Sequence, residues 1–215
     1  TLIVGSGVGN DVAASLRNSD AKINAVEIDP LVADLGIKFH PEKPYLNKRV
    51  KLTINDARNF IKETDEEYDL IIYSILDSHA NLSGKGGVRL DSYVYTVESF
   101  FEAKQKLSNK GIIILSFAVS TREMGIKIYK MLNESFKANP PLVLTRNNPE
   151  KFIDNIYIFA VSDNKIDIDL FDTNYKRTNL FLPNSTIEKV DMSTDDWPFF
   201  YMSYRIYPVS YTHLT

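Results

Sequence analysis

The chain of 215 residues contains no cysteine, so neither a disulfide framework nor a thiolate metal site can form. Its three histidines, His40, His79 and His213, are too dispersed to suggest a metal cluster. No apolar run approaches the ~20 residues that span a bilayer, and no charged segment followed by an apolar stretch opens the chain. An excess of positive charge is missing too. The 25 Lys and Arg stand against 28 Asp and Glu for a net charge of -3, and the basic residues are scattered, which leaves no footprint for a polyphosphate backbone. The expectation is a cytoplasmic protein with no nucleic acid partner, no metal and no membrane contact within these residues.

What is present is a 44% hydrophobic, 12% aromatic composition, enough for one α/β domain with an appendage. Apolar runs at residues 2–4, 23–28, 50–54, 68–75 and 111–117 read as strands. Helical patterns at 11–17, 31–39, 57–63 and 97–107 separate them. A helix at 122–135 and strands at 142–145 and 155–161 follow. This alternation predicts a Rossmann-like, doubly wound, mostly parallel seven-stranded sheet ending in an antiparallel hairpin at an edge. Residues 1–161 are expected to form a nucleotide-binding core and 162–207 a C-terminal appendage. The chain opens inside its first strand, so a preceding segment is expected to be missing, and 208–215 are expected to be a disordered end or a cloning scar.

The loop Gly5-Ser6-Gly7-Val8-Gly9-Asn10 follows a strand and opens a helix, the context of a nucleotide-binding glycine loop. A dinucleotide site prefers G-x-G-x-x-G, but the place of the third glycine holds Asn10 here. The other reading is a generic tight turn. Glu27 ends the second strand about 20 residues on, where a carboxylate can accept from both ribose hydroxyls of an adenosine. Asp29, followed by Pro30, reads as a helix N-cap. After the third strand, Asn55-Asp56-Ala57 offers Asp56 either as an N-cap or as an acceptor for an adenine amino group, with the next backbone N–H facing a ring nitrogen.

The G-x-G-x-G loop resembles motif I of S-adenosylmethionine-dependent methyltransferase-fold enzymes. The order of the glycine loop, Val26-Glu27-Ile28-Asp29, Asn55-Asp56-Ala57, the Tyr68-Asp69 strand and Tyr95-Thr96-Val97-Glu98-Ser99-Phe100 resembles the spermidine synthase family over residues 2–160. The resemblance implies a transferase of polyamine biosynthesis. Its donor substrate would be S-adenosylmethionine or the decarboxylated form, its acceptor a small-molecule amine, and its assembly a homodimer. Gly5, Gly7, Gly9, Glu27, Asp56 and Ala57 would bind the donor.

Departures from the family pattern concern the reacting end. Where the family carries D-x-x-D after the fourth strand, this chain has Ser74-Ile75-Leu76-Asp77, so only the second carboxylate is kept. Val8 stands where the family usually has Asp, and the family's N-terminal β-hairpin region is absent. Ser74, Asp77 and His79 are the catalytic candidates, with Asp77 and His79 as proton acceptors. Residues 81–91, with Gly84, Gly86 and Gly87, read as a lid. Tyr93 and Tyr95 read either as an amine pocket or as packing, and Thr194-Asp195-Asp196-Trp197 either as an amine border or as a docking turn. A methyltransferase and a non-catalytic nucleoside-binding module are the alternative functions.

Overall fold

Strands inside a parallel sheet are covered on both faces, and the first two are buried at every residue: β1 (Leu2–Val4) and β2 (Ile23–Glu27). In the computed structural model, which describes residues 1–76, 93–153, 155–182 and 189–204, they lie inside an eight-stranded sheet. The further strands are β3 (Val50–Ile54), β4 (Tyr68–Tyr73), β5 (Leu107–Val119), β6 (Leu142–Thr145), β7 (Asn155–Val161) and β8 (Lys176–Arg177). Their order is β3-β2-β1-β4-β5-β7-β6-β8. The first five pair in parallel and the last three join antiparallel. The strand order reverses about β1 and β4, and sheets of this kind bind ligands in the crevice at that switch point.

The helices are α1 (Asn10–Asn18), α2 (Pro30–Phe39), α3 (Ala57–Glu63), α4 (Val97–Lys104) and α5 (Arg122–Ser135). Alternation along β1 splits the core in two. Ile3 packs with Val12 of α1, Ile37 of α2 and Tyr45, whereas Leu2 and Val4 pack with Ile61 of α3, Phe100 of α4 and Leu132 of α5. Four of these five helices begin at a side-chain cap, α1 with Gly9 before it being the exception. Asp29 accepts from Leu31 N at 2.8 Å with Pro30 at the first helical position, and Thr96 accepts from Ser99 N at 3.2 Å.

Three features differ from the expected pattern. The helix expected to reach residue 107 stops at Lys104, and β5 begins at Leu107 instead of 111, because Leu107 pairs with Tyr68 across a register irregularity. Its first residues, Ser108 to Lys110, are polar and do not advertise a strand. The last hairpin is not simply appended: β7 inserts between β5 and β6, pairing Phe117 with Tyr157 and Val143 with Phe159. The eighth strand, two exposed residues, then pairs with β6 at the edge.

Beyond residue 161 the chain covers surface that the helices leave bare. Ile166, Phe171 and Tyr175 pack over Leu142, Leu144 and Ala160 on one face, while Phe181, Val190 and Phe200 enter the main cluster on the other. Phe200 stacks on Tyr95 with ring centroids 4.7 Å apart, and both touch Phe117. Tyr95 is thus a core residue. The fully buried Lys127 of α5 donates to the carbonyls of Phe199 at 3.2 Å and Met202, and its Nζ lies 4.8 Å from the Trp197 ring centroid.

The segment also supplies a carboxylate. Residues Thr194 to Trp197 close a turn through two backbone hydrogen bonds, and Asp195 there accepts from the buried guanidinium of Arg58 at 2.5 and 2.6 Å. That hydrogen bond, aided by Thr96, holds the Asp195 carboxyl below the usual range against the opposing effect of burial. A depressed carboxyl adds stability above its unfolded pKa of about 3.9, and the gain is lost as pH falls through the folded value. Asp195→Asn should therefore lower Tm at neutral pH, and its gap to the parent should close on acidification below about pH 4. Thermal melts from pH 7 to pH 3 read this directly; a gap that stays constant would mean that Asp195 is not a charged partner of Arg58.

Candidate nucleoside-binding site

The C-terminal ends of β3, β2, β1 and β4 stand side by side, and the polar residues singled out in the sequence lie just beyond them. Gly5, Gly7 and Gly9, after β1, all have positive φ, at 69°, 56° and 101°, a region glycine enters without a Cβ penalty. They differ in what surrounds them. A Cβ at Gly5 would run into Leu76, and one at Gly9 would meet Pro44 at 2.7 Å. Around Gly7 nothing lies within 4 Å of the ideal Cβ position. This backbone is therefore open on the side where a ligand can approach.

Glu27 closes the other side of that space. Its carboxylate is almost wholly buried, and each oxygen accepts one backbone N–H: Gly7 N reaches Oε2 at 2.7 Å and Asp29 N reaches Oε1 at 2.9 Å. One side chain thus joins the glycine loop to the start of α2. A carboxylate offers about four lone-pair positions, so one on each oxygen remains for a further donor. A vicinal pair of hydroxyls has the matching donors.

The neighbouring ends are tied in by the backbone. Asn55 N donates to Glu27 O at 3.0 Å and Ser74 N donates to Val4 O at 3.1 Å. Asp56 caps α3 by accepting from Asn59 N at 2.8 Å. Ala57 N, at the first helical position, has no intrahelical partner by helix geometry. Ile28 and Ile75, immediately past β2 and β4, are large apolar residues left exposed. Ser74 is buried, and its Oγ has no hydrogen-bond partner among the described residues. Asp77, His79 and the expected lid at 81–91 lie outside the described residues.

A supporting layer behind the loop carried no periodic signal in the sequence. Tyr45, on a 3₁₀ turn (Pro44–Leu46), places its hydroxyl 2.6 Å from Gly7 O and 2.9 Å from Ser6 Oγ. Burial pushes this phenol up to about 12, so it remains a hydrogen-bond donor at neutral pH. The buried His40 accepts from Glu42 N through Nδ1 at 3.1 Å, which leaves Nε2–H to donate to Asn10 Oδ1 at 3.2 Å. The underside of the loop rests on Gly36 of α2, where a Cβ would sit 2.5 Å from Val8 O. The only hint in the sequence is Pro44 as a turn former. Among the described residues, no group of three or more His, Asp or Glu is placed to hold a metal ion, and no helix is long and apolar enough to cross a membrane.

Comparison with known proteins bears on the family and the fold. The polyamine aminopropyltransferase of Korarchaeum cryptofilum is 28% identical over 142 residues, covering 63% of this chain and 41% of the relative. The chain thus spans less than half the length of that relative. A solved spermidine synthase in complex with the transition state analogue AdoDATO superimposes with a TM-score of 0.59 at 17% identity, covering 95% of this chain and 64% of that one. Human methyltransferase-like protein 13 in complex with SAH gives 0.57 at 20% identity, covering 78% and 74%. At such identities these two structures speak for the Rossmann-like methyltransferase fold alone. The family model of the spermine/spermidine synthase domain matches residues 1–170, and the chain belongs to the spermine/spermidine synthase family.

Proposed function

We propose that this chain is the donor-binding and catalytic core of an aminopropyltransferase, with decarboxylated S-adenosylmethionine as donor and a small amine as acceptor. The observation that carries the reading is the Glu27 carboxylate, pinned by two backbone N–H groups beside the open space at Gly7. Its free lone pairs take the two ribose hydroxyls. Asp56 and the Ala57 N–H take the adenine edge, and the exposed Ile28 and Ile75 supply apolar cover for the ring.

In the reaction the amine nitrogen attacks the aminopropyl carbon bonded to the sulfonium. The new C–N bond forms as the C–S bond breaks, its electrons return to sulfur, and 5′-methylthioadenosine leaves. The nitrogen must also lose a proton. Alkyl amines of the lysine type have a pKa of about 10.4 and are almost wholly protonated near neutrality. Holding the two reactants in line supplies the larger part of the rate, and proton removal the smaller. The buried Ser74 hydroxyl is no resting base, so Asp77 takes that task, with His79 as the other acceptor in the same stretch of chain. Ser74 is also the specific feature that favours a second reading, methyl transfer from S-adenosylmethionine, which does not require the missing carboxylate.

Glu27→Gln should weaken 5′-methylthioadenosine binding by about 1.5–3 kcal/mol, since the amide loses the charge and turns a donor toward groups that need an acceptor. Calorimetry measures this, and unchanged affinity removes Glu27 from the site. Gly7→Ala should abolish the same binding at a modest cost in stability from its left-handed φ, because the added methyl meets no protein atom and projects where the nucleoside lies. Normal binding by that variant would place the ligand elsewhere.

Asp77→Asn should stop aminopropyl transfer to putrescine and leave donor binding within about twofold, because the amide keeps the shape and loses the basicity. Ser74→Asp, which restores the family pattern, should raise transfer. If Ser74→Asp stays silent while the parent methylates another acceptor, methyl transfer replaces the aminopropyl reading.

A further inference from the structure

Arg58 is the most heavily bonded side chain of the described structure and lies outside the nucleoside site itself. It is the second residue of α3, directly after Ala57, and is 7% exposed. Glu102 of α4 faces one edge of the guanidinium, accepting from Nε at 2.9 Å and from Nη2 at 3.0 Å. Asp195 faces another edge, accepting from Nη1 at 2.5 Å and Nη2 at 2.6 Å. Nη1 also reaches Tyr93 O at 3.3 Å and Thr96 Oγ1 at 3.5 Å. This double fork is specific to arginine, whose planar donors match two carboxylates where an ammonium offers a single point charge.

The elements it joins are those that flank the reacting end. Asp56 and Ala57 begin α3 on the donor side. Tyr93 to Thr96 lead into α4 on the side where β4 ends. Residues 193–195 are locked onto that helix start by three bonds: Thr96 Oγ1 donates to Asp195 Oδ1 at 2.9 Å, Asp195 N donates to Glu98 Oε2 at 3.1 Å, and Val97 N donates to Ser193 O at 3.0 Å. Tyr73, the residue before Ser74, is wholly buried against Phe100 of α4 and lies within the electrostatic reach of Arg58 and Glu102. Glu102 on the adjacent helix already forms a two-pronged pair with the guanidinium. Here the third partner is brought in from 137 residues away and seated at the start of α4.

We propose that Arg58 is a positioning residue, which together with Glu102 and Asp195 holds the Asp56–Ala57 turn at a set distance from the Tyr93–Thr96 connection and so couples donor binding to the acceptor side. The proposal rests on the donor-binding reading above. Filling the nucleoside site then tightens the start of α4 through the guanidinium, and the three-cornered pair keeps donor carbon and amine in line.

The test compares the parent with Arg58→Lys, and with Asp195→Asn and Glu102→Gln, which keep the guanidinium and remove one carboxylate charge each. Hydrogen exchange with and without 5′-methylthioadenosine is read at the amides of residues 55–59 and 93–99. In the parent, both stretches should gain protection. In Arg58→Lys and Asp195→Asn, nucleoside affinity should stay within about threefold and 55–59 should still be protected, while the gain at 93–99 disappears. Kinetics with putrescine should show kcat lower by roughly ten- to a hundredfold with the donor KM little changed. If the variants merely lose Tm and keep both the protection at 93–99 and the parent kcat, Arg58 is a brace and the proposal is overturned. If the parent itself fails to bind 5′-methylthioadenosine, the donor reading falls and takes the proposal with it; the two failures are told apart by that first binding measurement.

Discussion

A buried carboxylate that accepts two backbone N–H groups is the constraint on which the site depends. Glu27 stands at the end of a strand buried at every residue, and its oxygens are the points at which the loop after β1 and the turn after β2 meet. A buried charge without such partners would be strongly unfavourable. The peptide donors thus make the carboxylate tolerable, and the carboxylate fixes the relative placement of the two loops. On the proposed reading, what is left over, one lone pair per oxygen, is the recognition element. Binding capacity here follows from how the fold satisfies its own polar groups.

The support behind the loop obeys the same logic. Three consecutive odd-numbered glycines in left-handed conformations form a segment with almost no side-chain atoms to pack, and such a segment wanders unless something holds it. Tyr45 and His40 do so from the side away from the open space, each through a hydrogen bond to the loop or to the first residue of α1. Gly36 lets the loop sit directly on α2. The open face at Gly7 is then a preorganised surface and not a gap, which lowers the ordering cost of binding.

How much of this could be read in the sequence depends on the range of the interaction. The glycine loop, Glu27 and the Asp29-Pro30 cap are local patterns, and the apolar runs of β1, β2 and β4 carry their own signal of burial. Ser108 to Lys110 carry none, because they sit in the register irregularity between the Tyr68–Leu107 and Leu70–Ile112 pairs and are polar throughout. The insertion of β7 between β5 and β6 depends on which hairpin partner lies alongside Phe117, a choice made by packing and not by the hairpin residues. Arg58 is the clearest case. Inside a short helix it reads as an ordinary surface cation, and its burial is decided by Asp195, 137 residues away. The aromatic tail is similar: Phe181 and Phe200 belong to the core, yet their neighbours in sequence are turns and polar residues with no period.

On the proposed reading, the donor and acceptor halves of the site are held by different kinds of interaction, and this bears on Ser74. The donor half is built from backbone groups and the carboxylates of Glu27 and Asp56 at the ends of β1, β2 and β3, with no contribution from Ser74 beyond its N–H to Val4. Replacing a carboxylate by a hydroxyl at that place removes a charge from the reacting end and leaves the donor scaffold intact. It also leaves a buried hydroxyl with no partner among the described residues, and a buried polar group in that state costs about 1–3 kcal/mol. A ligand that supplied the missing hydrogen bond would recover that cost, so the position retains a reason to bind substrate even without a base. Variation at the end of β4 can thus change how the proton is handled while the nucleoside site stays as it is, and for that reason the likeness of the donor half fixes the family more firmly than it fixes the acceptor.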